Sequence, residues 1–118
     1  MAEARPVESR IAAASGAFRK LESVFLSRKV RPRAKRAAYV AVVLPILIYG
    51  SEAWNLTEAM YAKLRRFHNY STRRMCLLSR RLCRFNHISA RYIHRRLGML
   101  DIDAYITRRH LRWAGHVA

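Results

Sequence analysis

The sequence predicts an all-α fold, a small helical bundle of about five helices. Three observations carry that reading. Apolar residues recur three and four positions apart in successive segments, and no stretch alternates apolar and polar residues as a half-buried strand does. Helix punctuation falls between those segments, at Pro32, Thr57, Ser89 and Gly98. The chain has 118 residues and is 52% apolar, which suits one packed domain over 1–118 and argues against general disorder.

A first helix is expected over 7–26, where Ile11, Ala14, Phe18, Leu21 and Phe25 share a face. Gly16 in its middle costs about 1 kcal/mol relative to alanine, which suggests a close helix neighbour there. The basic linker 27–31 leads to Pro32, a residue suited to the first turn of a second helix over 32–49. That helix opens with Arg33, Lys35 and Arg36 and then turns apolar on every side, the mark of a central helix. Its apolar run from Ala37 to Tyr49 is shorter than the ~20 residues that cross a bilayer, and Pro45 within it is expected to kink the helix. Gly50 suits the helix end.

A third helix is expected over 57–85, with Thr57 as N-cap and Glu58 at the positive end of the dipole. Met60, Leu64, Phe67, Ser71, Met75, Leu78, Leu82 and Phe85 form its apolar stripe, with a break near Leu78–Ser79 compatible with the pattern. A short helix over 89–97 follows, capped by Ser89 and stopped by a left-handed Gly98. The last, over 101–117, has Asp101 and Asp103 at its positive end and buries Ile102, Ile106, Trp113 and Val117, with His110 among them. Tyr49, Trp54 and Trp113 are expected to close the ends of the core.

The charge is lopsided: 24 basic against 7 acidic residues, a formal net charge of +17 and a pI near 11.4. From Ala59 to Leu100 the chain holds eleven Lys or Arg and no acid. Twenty of the basic residues are arginine, whose planar fork fits phosphate oxygens and stacks on bases. A polyanionic partner is therefore expected. Arg66, Arg73, Arg74, Arg80, Arg81 and Arg84 would lie along about 27 Å of one continuous helix and follow a phosphate backbone, with Tyr70 stacking among them. Arg33, Lys35 and Arg36 form a second candidate set, because bases at a helix N-terminus oppose the dipole and a bound phosphate would relieve them. Nothing indicates sequence-specific readout.

Catalytic chemistry finds little support. Cys76, Cys83, His87 and His94 are too widely spaced for a usual zinc module, and Asp101-x-Asp103 reads as helix N-terminal acids, so no metal and no cofactor is expected. No nucleophile with its base and no glycine-rich phosphate loop is present. Two cysteines give no disulfide framework, and the N-terminus lacks a signal-peptide core, which points to an intracellular protein.

Several segments resemble the C-terminal thumb and post-thumb region of non-LTR (LINE-type) retrotransposon reverse transcriptases. The family's R-I-x-x-A-x-x-A-F is similar to Arg10 to Phe18, with its alanines at Ala14 and Ala17. Its L-x-x-L-L-Y-G-x-E-x-W resembles Leu44 to Trp54, with Ile48 for one leucine. Leu64, Phe67 and Arg73 or Arg74 are similar to its basic helix, and Arg95-Arg96-Leu97-Gly98 resembles its R-R-x-L-G without the spacer residue. Arg109 to Val117 closely match R-x-L-R-W-x-G-H-V. The resemblance implies a thumb-like helical region that grips a template–primer duplex or RNA–DNA hybrid without reading its sequence. It also implies missing palm and fingers as partners and a nuclear location in a eukaryote. The palm's paired aspartates are absent, since the chain contains no Asp-Asp, so the chain is expected to be a fragment that does not polymerise alone. The rival expectation is a stand-alone basic helical adaptor for RNA or an acidic protein. Membrane attachment through the third helix ranks last, because its bulky stripe is sized for a core.

Overall fold

The computed structural model describes residues 5–117, apart from the side chains of residues 5, 6, 113 and 115–117, and these residues form an all-α structure of 42 × 27 × 24 Å. The helices are α1 (Arg5–Lys20), α2 (Glu22–Phe25), α3 (Pro32–Ala38), α4 (Leu44–Leu47), α5 (Glu58–Met75), α6 (Arg80–Phe85), α7 (Ala90–Leu97) and α8 (Ile102–Val117). α1 packs on α4 and α5, α5 packs on α7 and α8, and α3 packs on α7.

The expected second helix is continuous in direction but not in hydrogen bonding. Between α3 and α4, Tyr39–Val43 form a π turn in which the Leu44 amide donates to the Tyr39 carbonyl, five residues back. Pro45 lies just beyond it and has no amide to donate, so the wider turn absorbs the ring that an α-helix would force against the carbonyl of Ala41. The helix is not buried all round, in contrast to the sequence expectation. Lys35, Tyr39, Val43, Leu44, Leu47 and Ile48 face the core, while Ala34, Ala37, Ala41, Val42, Pro45 and Tyr49 face outward. With the 3₁₀ turn Ser51–Ala53 included, Pro32–Ala53 is long and apolar enough to cross a membrane by length and composition, which the thirteen-residue run alone did not suggest. Its inner side packs on neighbouring helices, and a third of its apolar window is buried.

The expected 57–85 helix is two helices. α5 ends at Met75, and Leu77 adopts a left-handed φ of 60° that breaks the helix, close to the expected Leu78–Ser79, before Ser79 caps α6. The apolar stripe is buried at Met60, Leu64, Ser71 and Met75 and loses its phase after the break. Leu82 is consequently 43% exposed and Phe85 83% exposed, where the spacing had placed both in the core. Other local signals held. Thr57 Oγ1 accepts from the Met60 amide at 3.2 Å, Ser89 Oγ from Tyr92 at 3.1 Å, and Asp101 Oδ1 from Ala104 at 2.9 Å. Gly50 and Gly98 end their helices at φ of 78° and 71°, a region in which a side chain is strained. Gly16 has no close neighbour: a Cβ there would meet open space.

The core is built on aromatic contacts. Phe18 stacks on Phe25 with centroids 4.6 Å apart, and Phe25 meets Tyr39 edge-on at 6.2 Å. A polar thread runs through its centre. The Tyr39 hydroxyl donates to Nδ1 of His68 (2.9 Å), and Nε2 of His68 donates to the Leu100 carbonyl (2.9 Å). The carbonyl can only accept, so the proton sits on Nε2. His94 lies beside His68 with ring centroids 4.9 Å apart, and its buried Nε2 has no partner among the described residues. Burial pushes the His68 imidazolium down to a pKa of about 4 and lowers that of His94, so both rings are neutral near pH 7.

Candidate nucleic-acid interface

The structure divides the ten residues nominated from sequence into three groups. Arg66, Tyr70, Arg73 and Arg80 come together around an open groove of about 730 Å³ between α1, α5, α6 and α7. Lys63 and Glu8, paired with each other at 2.7 Å, and Asn69 also line it, and Ile11, Phe67, Cys83, Ile88 and Ile93 make its apolar part. Tyr70 is 51% exposed, and the guanidinium carbons of Arg73 and Arg74 lie 5.4 and 5.5 Å from its ring centroid. Arg73 also donates to the Leu78 carbonyl at 2.9 Å, which fixes its guanidinium at the break after α5. Arg74 is held on the inner side, paired with Glu22 at 3.2 Å and lying over the Phe18 ring.

Arg81 and Arg84 are exposed on α6 and line no part of the groove. The ridge is therefore not the single line of about 27 Å that one continuous helix would give, because the helix is broken at Leu77 and its second half belongs to α6.

Arg33 and Arg36 stand apart on α3. Arg33 is exposed, and Arg36 lies against the α7 terminus, 3.7 Å from where a Cβ on Gly98 would sit. Lys35 is a correction: it is 3% exposed and donates from Nζ to the Met75 carbonyl at 2.8 Å. It satisfies the last carbonyl of α5 and holds a cation at the negative end of that helix, so it does not meet phosphate. Burial lowers its pKa, a second mark of an interior role. The sequence signal was its phase, since Lys35, Tyr39, Val43 and Leu47 recur every four residues and all are buried.

Most of the few acids are occupied. Glu22 pairs with Arg74, Glu52 with Arg109, Glu58 and Asp103 with Arg65, and Glu8 with Lys63. Among the described residues no ion pair forms on Arg66, Arg80, Arg81 or Arg84, or on Arg91, Arg95 and Arg96 of α7, which are also exposed. The α7 arginines were not nominated from sequence, although they lie in the same acid-free stretch. Among the described residues, no cluster of three His, Cys, Asp or Glu could hold a metal ion.

The two sequence blocks that stand far apart in the chain meet in space. Arg109 Nε donates to Glu52 at 2.7 Å, and Nε2 of His110 donates to the Ser51 carbonyl at 3.0 Å, which joins α8 to the 3₁₀ turn. Tyr49 does not close the core, as its position at a helix end suggested. It is 66% exposed beneath the Arg10 guanidinium at 5.6 Å. Trp54 is half-buried against the core, as expected, and the Trp113 side chain lies outside the described residues.

No family model and no solved structure matches the chain. It is similar to a Caenorhabditis elegans protein whose name describes it as uncharacterized and transposon-derived, with 33% identity over 78 residues. That alignment takes in 66% of this chain and 28% of the relative, so the chain corresponds to a little over a quarter of that protein's length. The similarity fits a transposon origin.

Proposed function

We propose that the chain is a non-catalytic, nucleic-acid-gripping helical segment of a non-LTR retrotransposon reverse transcriptase. In this reading it holds a template–primer duplex or RNA–DNA hybrid by the backbone while a palm and fingers elsewhere supply the catalytic aspartates, in the nucleus of a eukaryotic cell. The observation that carries it is the set of exposed arginines, Arg66 on α5 and Arg80, Arg81 and Arg84 on α6, that no acid neutralises among the described residues. A solvated helix face ordinarily mixes both signs, and one that does not is matched to phosphate. The transposon-derived relative supports the reading. So does the pairing of Glu52 with Arg109, because those two residues stand in the two blocks through which the chain resembles that family.

Arg66, Arg73, Arg80, Arg81 and Arg84 carry the contacts, with Arg33 and Arg36 as an outer set. Arg74 is engaged by Glu22, and Lys35 is interior. Fluorescence anisotropy with a labelled DNA duplex tests the assignment. Five phosphate contacts give a slope of log K against log[salt] of about −4.5. Reversing the three α6 arginines (R80E, R81E, R84E) should flatten it to about −2. Binding that does not respond to salt, or a triple variant with the parent's slope, would rule the assignment out.

A further inference from the structure

The groove is more than a ridge of charge, and its floor points to a narrower ligand. We propose that it takes single-stranded nucleic acid, with unpaired bases laid on its apolar floor and phosphates held by its basic rim. This inference rests on the nucleic-acid reading above and assigns the groove an unpaired strand, in addition to the duplex or hybrid that the arginine row as a whole would hold.

A surface built only to hold a duplex needs cations at backbone spacing and nothing else, because the bases are stacked and paired inside. Here Arg66, Arg73 and Arg80 line a trough together with the paired Lys63 and Glu8 and the apolar Phe67, Ile88 and Ile93, which leaves the three arginines as its unneutralised cations among the described residues. A duplex would touch that rim and leave the floor wet. A single strand presents phosphates along one edge and free base faces along the other, so it fills both. The volume of about 730 Å³ lies within the range of sites that enclose small organic ligands, and a nucleobase with its sugar is of that kind.

Tyr70 supplies the stacking surface. Its ring is half exposed, lines the groove and lies under the Arg73 and Arg74 guanidiniums, both of them anchored by other contacts. Ring and planar cations together make a preformed platform for a base, held without further ordering of long side chains. An acidic amphipathic helix would also match an apolar floor with a basic rim. The abundance of arginine over lysine and the guanidiniums gathered on an aromatic ring favour the base.

The test compares a short fluorescent oligouridine with a DNA duplex of equal length at one salt concentration, for the parent protein and Tyr70→Ala. The parent is expected to prefer the single strand, and loss of one stacking platform should shrink that preference about tenfold. As a second measurement, 5-iodouridine in the strand should photo-crosslink to Tyr70. Equal affinity for the two ligands, together with an unchanged ratio in the variant, overturns the groove assignment while a salt slope on the duplex keeps the phosphate reading standing. Absence of binding to either ligand overturns both. An acidic amphipathic peptide that protects Tyr70, with no iodouridine crosslink formed, assigns the groove to a protein and overturns the proposal.

Discussion

His68 is fully buried between Tyr39, His94 and the Leu100 carbonyl, and its ring is useful to the fold only when neutral. Its pKa falls from 6.5 to about 4 on folding, so between those values the unfolded chain binds the proton that the folded chain refuses. Stability is therefore complete above pH 6.5, declines as pH falls toward 4, and loses nothing further from this residue below that. The shift corresponds to about 3 kcal/mol at the acid end, and His94 adds to it in the same direction. Urea denaturation from pH 7.5 to 4 should show the decline, and His68→Gln should remove most of the slope; a parent whose stability is flat across this range would contradict it. Residue roles of this kind were partly legible. Leu64, His68 and Met75 share the phase of the α5 stripe, as Lys35 shares that of the next helix, so burial could be read for both. Their partners could not, because Met75 and Leu100 offer only backbone carbonyls, and a backbone carbonyl has no sequence signature.

Most helix caps followed from local chemistry, and the failures came where helices break inside a periodic stretch, as at Leu21, where the expected 7–26 helix divides into α1 and α2. The caps at Thr57, Ser89 and Asp101 and the left-handed glycines were readable because each satisfies an orphan backbone group within its own turn. A break near Leu78–Ser79 was compatible with the pattern, but the left-handed Leu77 that makes it was not legible, since leucine rarely adopts a positive φ. The break moved Leu82 and Phe85 from core to surface and divides the arginine ridge between two helices. Arg80 and Cys83 beyond it line the groove together with residues of α5. The candidate site was thus legible in its charges but not in its floor. Gly16 is the converse case, a residue that sequence reasoning credited with a packing duty it does not have. A methyl group placed there meets nothing, so Gly16→Ala should stabilise the protein by about 0.5–1 kcal/mol through helix propensity. A rise in the urea midpoint at unchanged slope checks this, and a fall would mean that α1 is crowded there.

At the scale of the whole molecule, a net charge of +17 on a body of 42 × 27 × 24 Å makes the folded state repel itself. The ion pairs of the described residues relieve only part of this, since Lys63, Arg65, Arg74 and Arg109 are the basic side chains they occupy. Raising salt from about 0.05 to about 0.5 M should therefore raise the thermal midpoint while it weakens nucleic-acid binding, two opposite responses from one cause. A midpoint that falls with salt would show that the pairs outweigh the repulsion.

The polar thread also sets an order of events for a chain made from its N-terminus. Lys35 waits for a carbonyl 40 residues further on, Tyr39 for a histidine 29 residues on, and that histidine for a carbonyl 32 residues beyond itself. Apolar surfaces on α1 and α4 can meet while the rest is still being made, but the groups at the centre stay unsatisfied until residue 100 has emerged. Completion of the core and completion of the arginine surface therefore coincide, because the same stretch of chain, from α5 to the start of α8, supplies both.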